Sequence, residues 1–218
     1  MPQRLSHRRV WVFDLDNTLY PPDSELFDQI SDRMSQYIMR TLKLDATAAD
    51  ALRHDYWRRY GTTLAGLMEV HDVDPDPYMV EVHDISFDRL EPDPALRDAI
   101  ASLPGRKIVH TNGSAPYAER VLDARGLSGV FDAIYGVEHA DYHPKPRAEA
   151  FHRILDRDGT QPAGAVMFED DTRNLVVPHE LGMGTVHVAP EPDPQDHIHH
   201  YTDDLHGFLR TVLDGDTD

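Results

Sequence analysis

Three short apolar runs, each halted abruptly by a polar cluster, constrain this 218-residue chain more than any other feature of its sequence. Val10-Trp11-Val12-Phe13 stops at Asp14-Leu15-Asp16-Asn17-Thr18, and Lys107 to His110 stops at Thr111-Asn112-Gly113-Ser114. Ala165-Val166-Met167-Phe168 stops at Glu169-Asp170-Asp171. Such runs read as strands buried on both faces, and polar residues just beyond strand ends are where α/β proteins keep their functional groups. Phe131 to Tyr135 and Thr185 to Val188 add two further strand candidates. Helical patterns separate them: Pro116 to Arg125 before Gly126, Arg147 to Leu155, and Leu175 to Leu181 before Gly182. Strand, helix, strand at this spacing predicts βαβ units and an α/β fold with a parallel sheet.

The interval from Asp14 to Thr111 breaks that rhythm, because it is far longer than one crossover helix requires. Pro22 and Asp23 open a segment with Leu26, Ile30, Met34, Ile38 and Leu42 at every fourth position. Thr47, with Asp50 three residues on, resembles a capping box ahead of Leu52, Tyr56, Trp57 and Tyr60. The expectation is a helical cap inserted over residues 21–88, with residues 1–20 and 89–218 forming the sheet domain. Pro92-Asp93-Pro94 would return the chain to that domain through a helix around Leu96 to Leu103. A purely helical N-terminal half beside the sheet is the competing arrangement, and it would isolate the strand before Asp14. Asp214 to Asp218 is expected to be frayed acidic surface.

Charge narrows the partners. With 39 acidic and 21 basic residues the formal net charge is -18, a field that repels nucleic-acid polymers and anionic membranes. An anionic ligand would need a local device to overcome it. There is no cysteine, which excludes disulfides, thiolate metal sites and cysteine nucleophiles. No stretch approaches the length of a membrane helix, and Asp14 and Asp16 interrupt any signal-like run after the basic Met1 to Arg9, so a cytoplasmic location is expected. His197, His199 and His200 lack zinc-site spacing and read as a surface loop.

The strand ends supply the candidate chemistry. Asp14 and Asp16 share a side if the chain stays extended. Two carboxylates so close favour a bound cation or raise one pKa, and one can serve as nucleophile while the other shuttles a proton. Alone, the pair suits a turn or a helix cap equally. Thr111, Asn112 and the backbone at Gly113 offer donors for phosphoryl oxygens, and Lys145, in His143-Pro144-Lys145-Pro146, places one cation locally. Glu169 and Asp170 add carboxylates suited to a hard cation such as Mg²⁺. Within the insertion, Tyr60-Gly61-Thr62-Thr63 reads either as a polar turn dipping toward the strand ends or as a C-cap followed by a new helix. Arg53, Arg58 and Arg59 read mainly as a solvated helix face, and Tyr56 and Trp57 mainly as cap core.

Together these segments resemble the haloacid dehalogenase-like hydrolase superfamily. Phe13-Asp14-Leu15-Asp16-Asn17-Thr18-Leu19 is similar to its first signature, and three later segments match the others in order: His110-Thr111-Asn112-Gly113, Pro144-Lys145-Pro146, and Phe168-Glu169-Asp170-Asp171 with Asn174. The insertion falls where that superfamily places its helical C1 cap, implying a Rossmann-like three-layer core. Trp11 to Pro21, Tyr60 to Leu67 and Phe168 to Met183, with Arg173-Asn174-Leu175 and Pro178-His179, resemble the pyrimidine 5'-nucleotidase branch.

The resemblance implies a Mg²⁺-dependent phosphomonoester hydrolase. Asp14 would be the nucleophile that forms an aspartyl-phosphate, and Asp16 the general acid and then base. Asp14, the Asp16 carbonyl and Asp170 would hold the metal, while Thr111, Asn112 and Lys145 would neutralise the phosphoryl group. Glu169, where many relatives carry Asp, would act through metal-bound water, Asp171 would stay at the metal edge, face solvent or cap the next helix, and Asn174 would be a hydrogen-bonding support rather than a ligand. Thr62 and Thr63 would contact the substrate, a small phosphorylated metabolite such as a nucleoside monophosphate. A phosphomutase, a broader small-metabolite phosphatase and a silent binding protein are the alternatives; a dehalogenase has no use for the second aspartate and the acidic cluster. Oligomeric state stays open.

Overall fold

The computed structural model describes residues 5–215, so the expectations placed on residues 1–4 and 216–218 lie outside the described residues. Six strands form one sheet in the order β3-β2-β1-β4-β5-β6, with every neighbouring pair parallel. They are β1 (Val10–Phe13), β2 (Arg106–His110), β3 (Ala133–Tyr135), β4 (Ala165–Glu169), β5 (Gly184–Val188) and β6 (His200–Thr202). The helices are α1 (Leu26–Leu42), α2 (Ala46–Tyr60), α3 (Thr63–His71), α4 (Pro75–Val82), α5 (Pro94–Ser102), α6 (Ala115–Ala124), α7 (Ala148–Asp158), α8 (Val176–Glu180) and α9 (Leu205–Asp214).

The alternation of side chains along β1 divides the core into two layers around the sheet. Trp11 and Phe13 face a cluster with Val109, Phe168, Val186 and residues of α5, α6 and α9. Val12 faces the opposite way, onto Ile108, Met167 and the α7 residues Ala150, Phe151 and Leu155. The central strands β1, β4 and β5 are buried along all or nearly all of their length, which is why they lack a polar face in sequence. Phe13 and Phe168 stack at 4.6 Å between ring centroids, directly under the strand ends. Because β1 lies between β2 and β4, the all-helical alternative for the N-terminal half does not form.

Between β1 and β2 the chain forms α1 to α4, the inserted helices, and then α5, which returns it to the sheet. Ile38, Ala49, Tyr56, Leu67, Tyr78 and Val82 build another buried cluster under the inserted helices, which Val137 of the sheet domain joins. Leu26 and Ile30, at the start of α1, belong instead to the sheet's cluster, so α1 straddles both. Asp45 caps α2 by accepting from the Ala48 N–H at 2.9 Å, so the helix starts ahead of the expected Thr47-Asp50 box. Asp45 wins because its carboxylate reaches the free N–H groups of the first turn.

Two elements correct the reading of the C-terminal region. His200 begins β6 rather than lying in a surface loop, and His199 is held by the Thr185 side chain at 2.8 Å. His197 hydrogen-bonds the Thr172 carbonyl at 2.8 Å. Of the tail expected from Asp214 onward only Asp214 and Gly215 are described, and Asp214 is the last residue of α9, which Asp204 caps and Gly215 terminates. No helix among the described residues is long and apolar enough to cross a membrane.

Candidate active site

Register alone brings three motifs together. Phe13 pairs with Phe168 and with Val109, so Asp14, Glu169 and His110 emerge level at the C-terminal edge of adjacent strands. The Asp14 N–H extends the ladder by donating to the Phe168 carbonyl at 2.9 Å. This edge is the topological switch point, where the strand order turns from β1 toward β2 on one side and β4 on the other. Open parallel sheets leave a crevice there.

Lys145 crosses into that crevice from the loop before α7 and is 1% exposed. Its ammonium donates to Asp14 Oδ1 at 2.6 Å, Glu169 Oε2 at 2.6 Å and the His110 carbonyl at 2.9 Å. Asn112 fixes the approach by clamping the Lys145 backbone: its Oδ1 accepts from the Lys145 N–H at 2.8 Å and its Nδ2 donates to the Lys145 carbonyl at 3.1 Å. Thr111 is buried, and its hydroxyl accepts from the Gly113 N–H at 2.9 Å. Thr111 therefore shapes the loop, whereas Asn112 and Gly113 line the cavity.

Asp14, Glu169 and Asp170 each offer a carboxylate oxygen, all within 4.8 Å of one another. Burial, followed by the neighbouring carboxylates, pushes the Asp14 and Asp170 carboxyls above their ordinary range, while Lys145 opposes the shift at Asp14. With all three ionised, one ammonium leaves two negative charges uncompensated. An all-oxygen donor set with that excess fits a hard divalent cation. Asp170 is steadied by Asn17, whose Nδ2 donates to Oδ2 at 3.3 Å from a left-handed turn position, φ 58°. The His187 imidazole bonds the Asp170 carbonyl at 2.9 Å.

Glu169 is 1% exposed within the cluster. Its Oε2 is taken by Lys145 and its Oε1 accepts from the Asp171 N–H at 3.3 Å, so the longer side chain is anchored inside the cluster. Asp171 caps the turn at Thr172–Leu175 by accepting from the Arg173 N–H, one of the expected options. Asn174 is buried beside the cavity, and its Oδ1 has no partner among the described residues. Asp16 lies at the start of a turn rather than on extended chain, and it accepts from the hydroxyls of Tyr20 at 2.6 Å and Tyr117 at 2.7 Å. Asn17 sits inside the first motif and Tyr20 directly after it, whereas nothing in the sequence connects Tyr117 to Asp16.

The cap closes the crevice into a cavity of about 390 Å³. Phe27, Met34, Trp57, Met79 and Val82 form an apolar wall, with Arg53, His54, Thr62 and Thr63 among them. Both readings of the Tyr60–Thr63 turn hold at once. Gly61, at φ 93°, ends α2, Thr62 caps α3 by accepting from the Ala65 N–H at 3.2 Å, and the turn also lines the cavity. A β-carbon at Gly61 would lie 3.1 Å from the Lys145 carbonyl, so the missing side chain lets cap and lysine loop meet. Thr63 is buried, with its hydroxyl 3.4 Å from the Arg53 carbonyl. Tyr56 is in the cap core as expected, but Trp57 is 45% exposed and lies under the Arg173 guanidinium at 3.6 Å. That contact draws it to the rim. Arg59 is exposed on Asp55, whereas Arg53 pairs with Asp50 and reaches the cavity.

A family model described as haloacid dehalogenase-like hydrolase matches residues 9–176. The chain is 28% identical over 186 residues to the fructose-1-phosphate phosphatase YqaB of Escherichia coli (strain K12), spanning 81% of this chain and 94% of that protein. It is 26% identical over 196 residues to phosphate metabolism protein 8 of Saccharomyces cerevisiae, spanning 83% of this chain but 61% of that protein's length. The crystal structure of a HAD phosphatase from Thermococcus onnurineus is similar at a TM-score of 0.63 and 18% identity, covering 96% of this chain and 100% of that one. That last likeness concerns the fold.

Proposed function

Since the chain belongs to the haloacid dehalogenase-like hydrolase family, we propose that it is a Mg²⁺-dependent phosphomonoester hydrolase acting through an aspartyl-phosphate on Asp14. The observation that carries this reading is the convergence of Asp14, Lys145, Glu169 and Asp170 at one strand edge, with Asp16 beside them. Asp14 and Asp170, with the Asp16 carbonyl, would hold the ion. Mg²⁺, when bound, would offset negative charge on the phosphoryl group and on the attacking carboxylate.

Asp14 is the nucleophile in this account. Lys145 keeps its Oδ1 ionised and aimed, and relinquishes part of that contact when a phosphoryl oxygen arrives. Asp16 gives a proton to the departing ester oxygen and takes one from the water that releases phosphate. Asn112 acts by holding Lys145 in place, and the Gly113 region offers backbone donors to phosphoryl oxygens. Thr111 serves that loop from beneath. The division into a core of residues 1–20 and 89–218 and a cap of residues 21–88 belongs to the same reading, supported by a buried cluster drawn from α1 to α4 with Val137 alone from the sheet domain among its fully buried members.

For the substrate, we take a pyrimidine nucleoside monophosphate as the first choice. The motif resemblance favours it, and the cavity's mix of Trp57, Met34 and Met79 with Arg53 and His54 suits a flat base with a polar edge. The similarity to a fructose-1-phosphate phosphatase favours a second reading, a sugar-phosphate hydrolase. Phosphate release from UMP, CMP, AMP, 4-nitrophenyl phosphate and fructose 1-phosphate, with Mg²⁺ and with excess EDTA, tests both levels. Turnover undiminished in EDTA would overturn the metal-dependent mechanism. A kcat/KM for fructose 1-phosphate or AMP equal to or above that for UMP would remove the nucleotidase assignment and leave the phosphatase standing.

A further inference from the structure

Two tyrosine hydroxyls converge on a single oxygen of Asp16. Tyr20 donates to Oδ1 at 2.6 Å and Tyr117 donates to the same Oδ1 at 2.7 Å. Tyr20 comes from the turn after β1 and Tyr117 from the first turn of α6, and both are buried. The two hydroxyls are 3.4 Å apart, and the His83 imidazole stacks on the Tyr117 ring with centroids 4.1 Å apart and planes inclined by 6°. These rings have little room to turn away.

A carboxylate oxygen has two lone pairs available to donors, and at Oδ1 both are taken. The hydrogen bonds that Asp16 makes among the described residues all go to Oδ1, while Asp16 itself lines the cavity. A proton placed on Oδ1 would displace one of them; a proton on Oδ2 displaces neither.

Resting on the reading of Asp16 as acid and base, we infer that Tyr20 and Tyr117 are positioning residues that occupy Oδ1, so that protons pass through Oδ2. In the first step Asp14 bonds to phosphorus and the bond from phosphorus to the ester oxygen breaks. That oxygen leaves with the electron pair and takes the proton from Asp16 Oδ2. In the second step water bonds to phosphorus and gives a proton to Oδ2, the bond from Asp14 to phosphorus breaks, and inorganic phosphate departs.

The test exploits leaving groups that differ in their need for a proton. An alkyl ester oxygen requires one, whereas 4-nitrophenolate departs without it. Phosphorylation of the enzyme is followed by rapid quench in a single turnover with Mg²⁺. The esters are 4-nitrophenyl phosphate and the faster of UMP and fructose 1-phosphate. Tyr20→Phe and Tyr117→Phe, which keep the rings, should each slow transfer from the alkyl ester about tenfold more than from the aryl ester, a fraction of the usual general-acid contribution. In an Asp16→Asn background the same changes should add no ester-dependent loss. Equal slowing for both esters, no slowing, or an ester-dependent loss that persists without Asp16 would overturn the inference. If Tyr117→Phe fails to fold, Tyr20→Phe carries the same test. A wild-type enzyme that forms no phosphoryl adduct with either ester would defeat the underlying reading and this inference with it. An adduct in the wild type combined with any of the three contrary results would defeat the inference alone.

Discussion

Lys145 holds its ammonium protons against Asp14, Glu169 and the His110 carbonyl, all within 2.9 Å, in a place almost sealed from water. Removing one partner of a buried ionic group strands the others, at a cost of about 3–5 kcal/mol. Lys145→Met should therefore lose about that much stability to urea in divalent-free buffer. A loss under about 1 kcal/mol, as for an exposed ion pair, would contradict the assigned electrostatics. Thr62 illustrates a different kind of dependence. Because its hydroxyl caps α3, Thr62→Ala should cost about 1 kcal/mol and Thr62→Ser should restore most of it. A Thr62→Ala variant with wild-type stability and altered selectivity would instead mark the residue as a substrate contact. The lysine was legible in the sequence because prolines flank it on a polar loop between strands. Its three acceptors were not, since they depend on register between β1, β2 and β4.

At the scale of elements, α4 meets α6 through His83, which caps α4, hydrogen-bonds Ser114 at 3.2 Å and stacks on Tyr117. Burial, with the Arg120 guanidinium second, pushes the His83 pKa down to about 3. The unfolded chain thus binds a proton at this site below about pH 6.5 while the folded protein does not. The neutral imidazole's stabilising contribution is full above that pH and is lost as pH falls toward 3. Unfolding by urea across this window should be less steep in pH for His83→Phe by up to about one proton. An unchanged slope would show that the contact carries no such linkage. The strands before Asp14, Thr111 and Glu169 could be read from sequence because burial on both faces leaves continuous apolar runs. β6 could not: His200-Tyr201-Thr202 is a three-residue edge strand, and its sequence carries no apolar run. Trp57 was misplaced for a related reason. Helical spacing assigns it to an apolar face, but the partner that draws it to the rim is Arg173, far along the chain.

For the whole molecule, a net charge of -18 must coexist with an anionic substrate. Three carboxylates gathered at the mouth of one cavity answer that problem if a divalent cation joins them. Mg²⁺ at 100 times its Kd should then stabilise the fold by about 2.7 kcal/mol, visible as a rise in Tm that EDTA reverses. No shift at any Mg²⁺ concentration would speak against the ion site. The fold class was within reach of sequence alone, since a parallel sheet with inserted helices follows from where the apolar runs and the long helical interval fall. The chemistry depends on the nucleophile, and the most direct measurement is the covalent one. Asp16→Asn protein, mixed with Mg²⁺ and 4-nitrophenyl phosphate and quenched in acid, should show one added phosphoryl group by intact mass spectrometry, with peptide mapping placing it on Asp14. Asp14→Asn should show neither the adduct nor turnover. Steady turnover by Asp14→Asn, or an adduct on any other residue, would contradict the account.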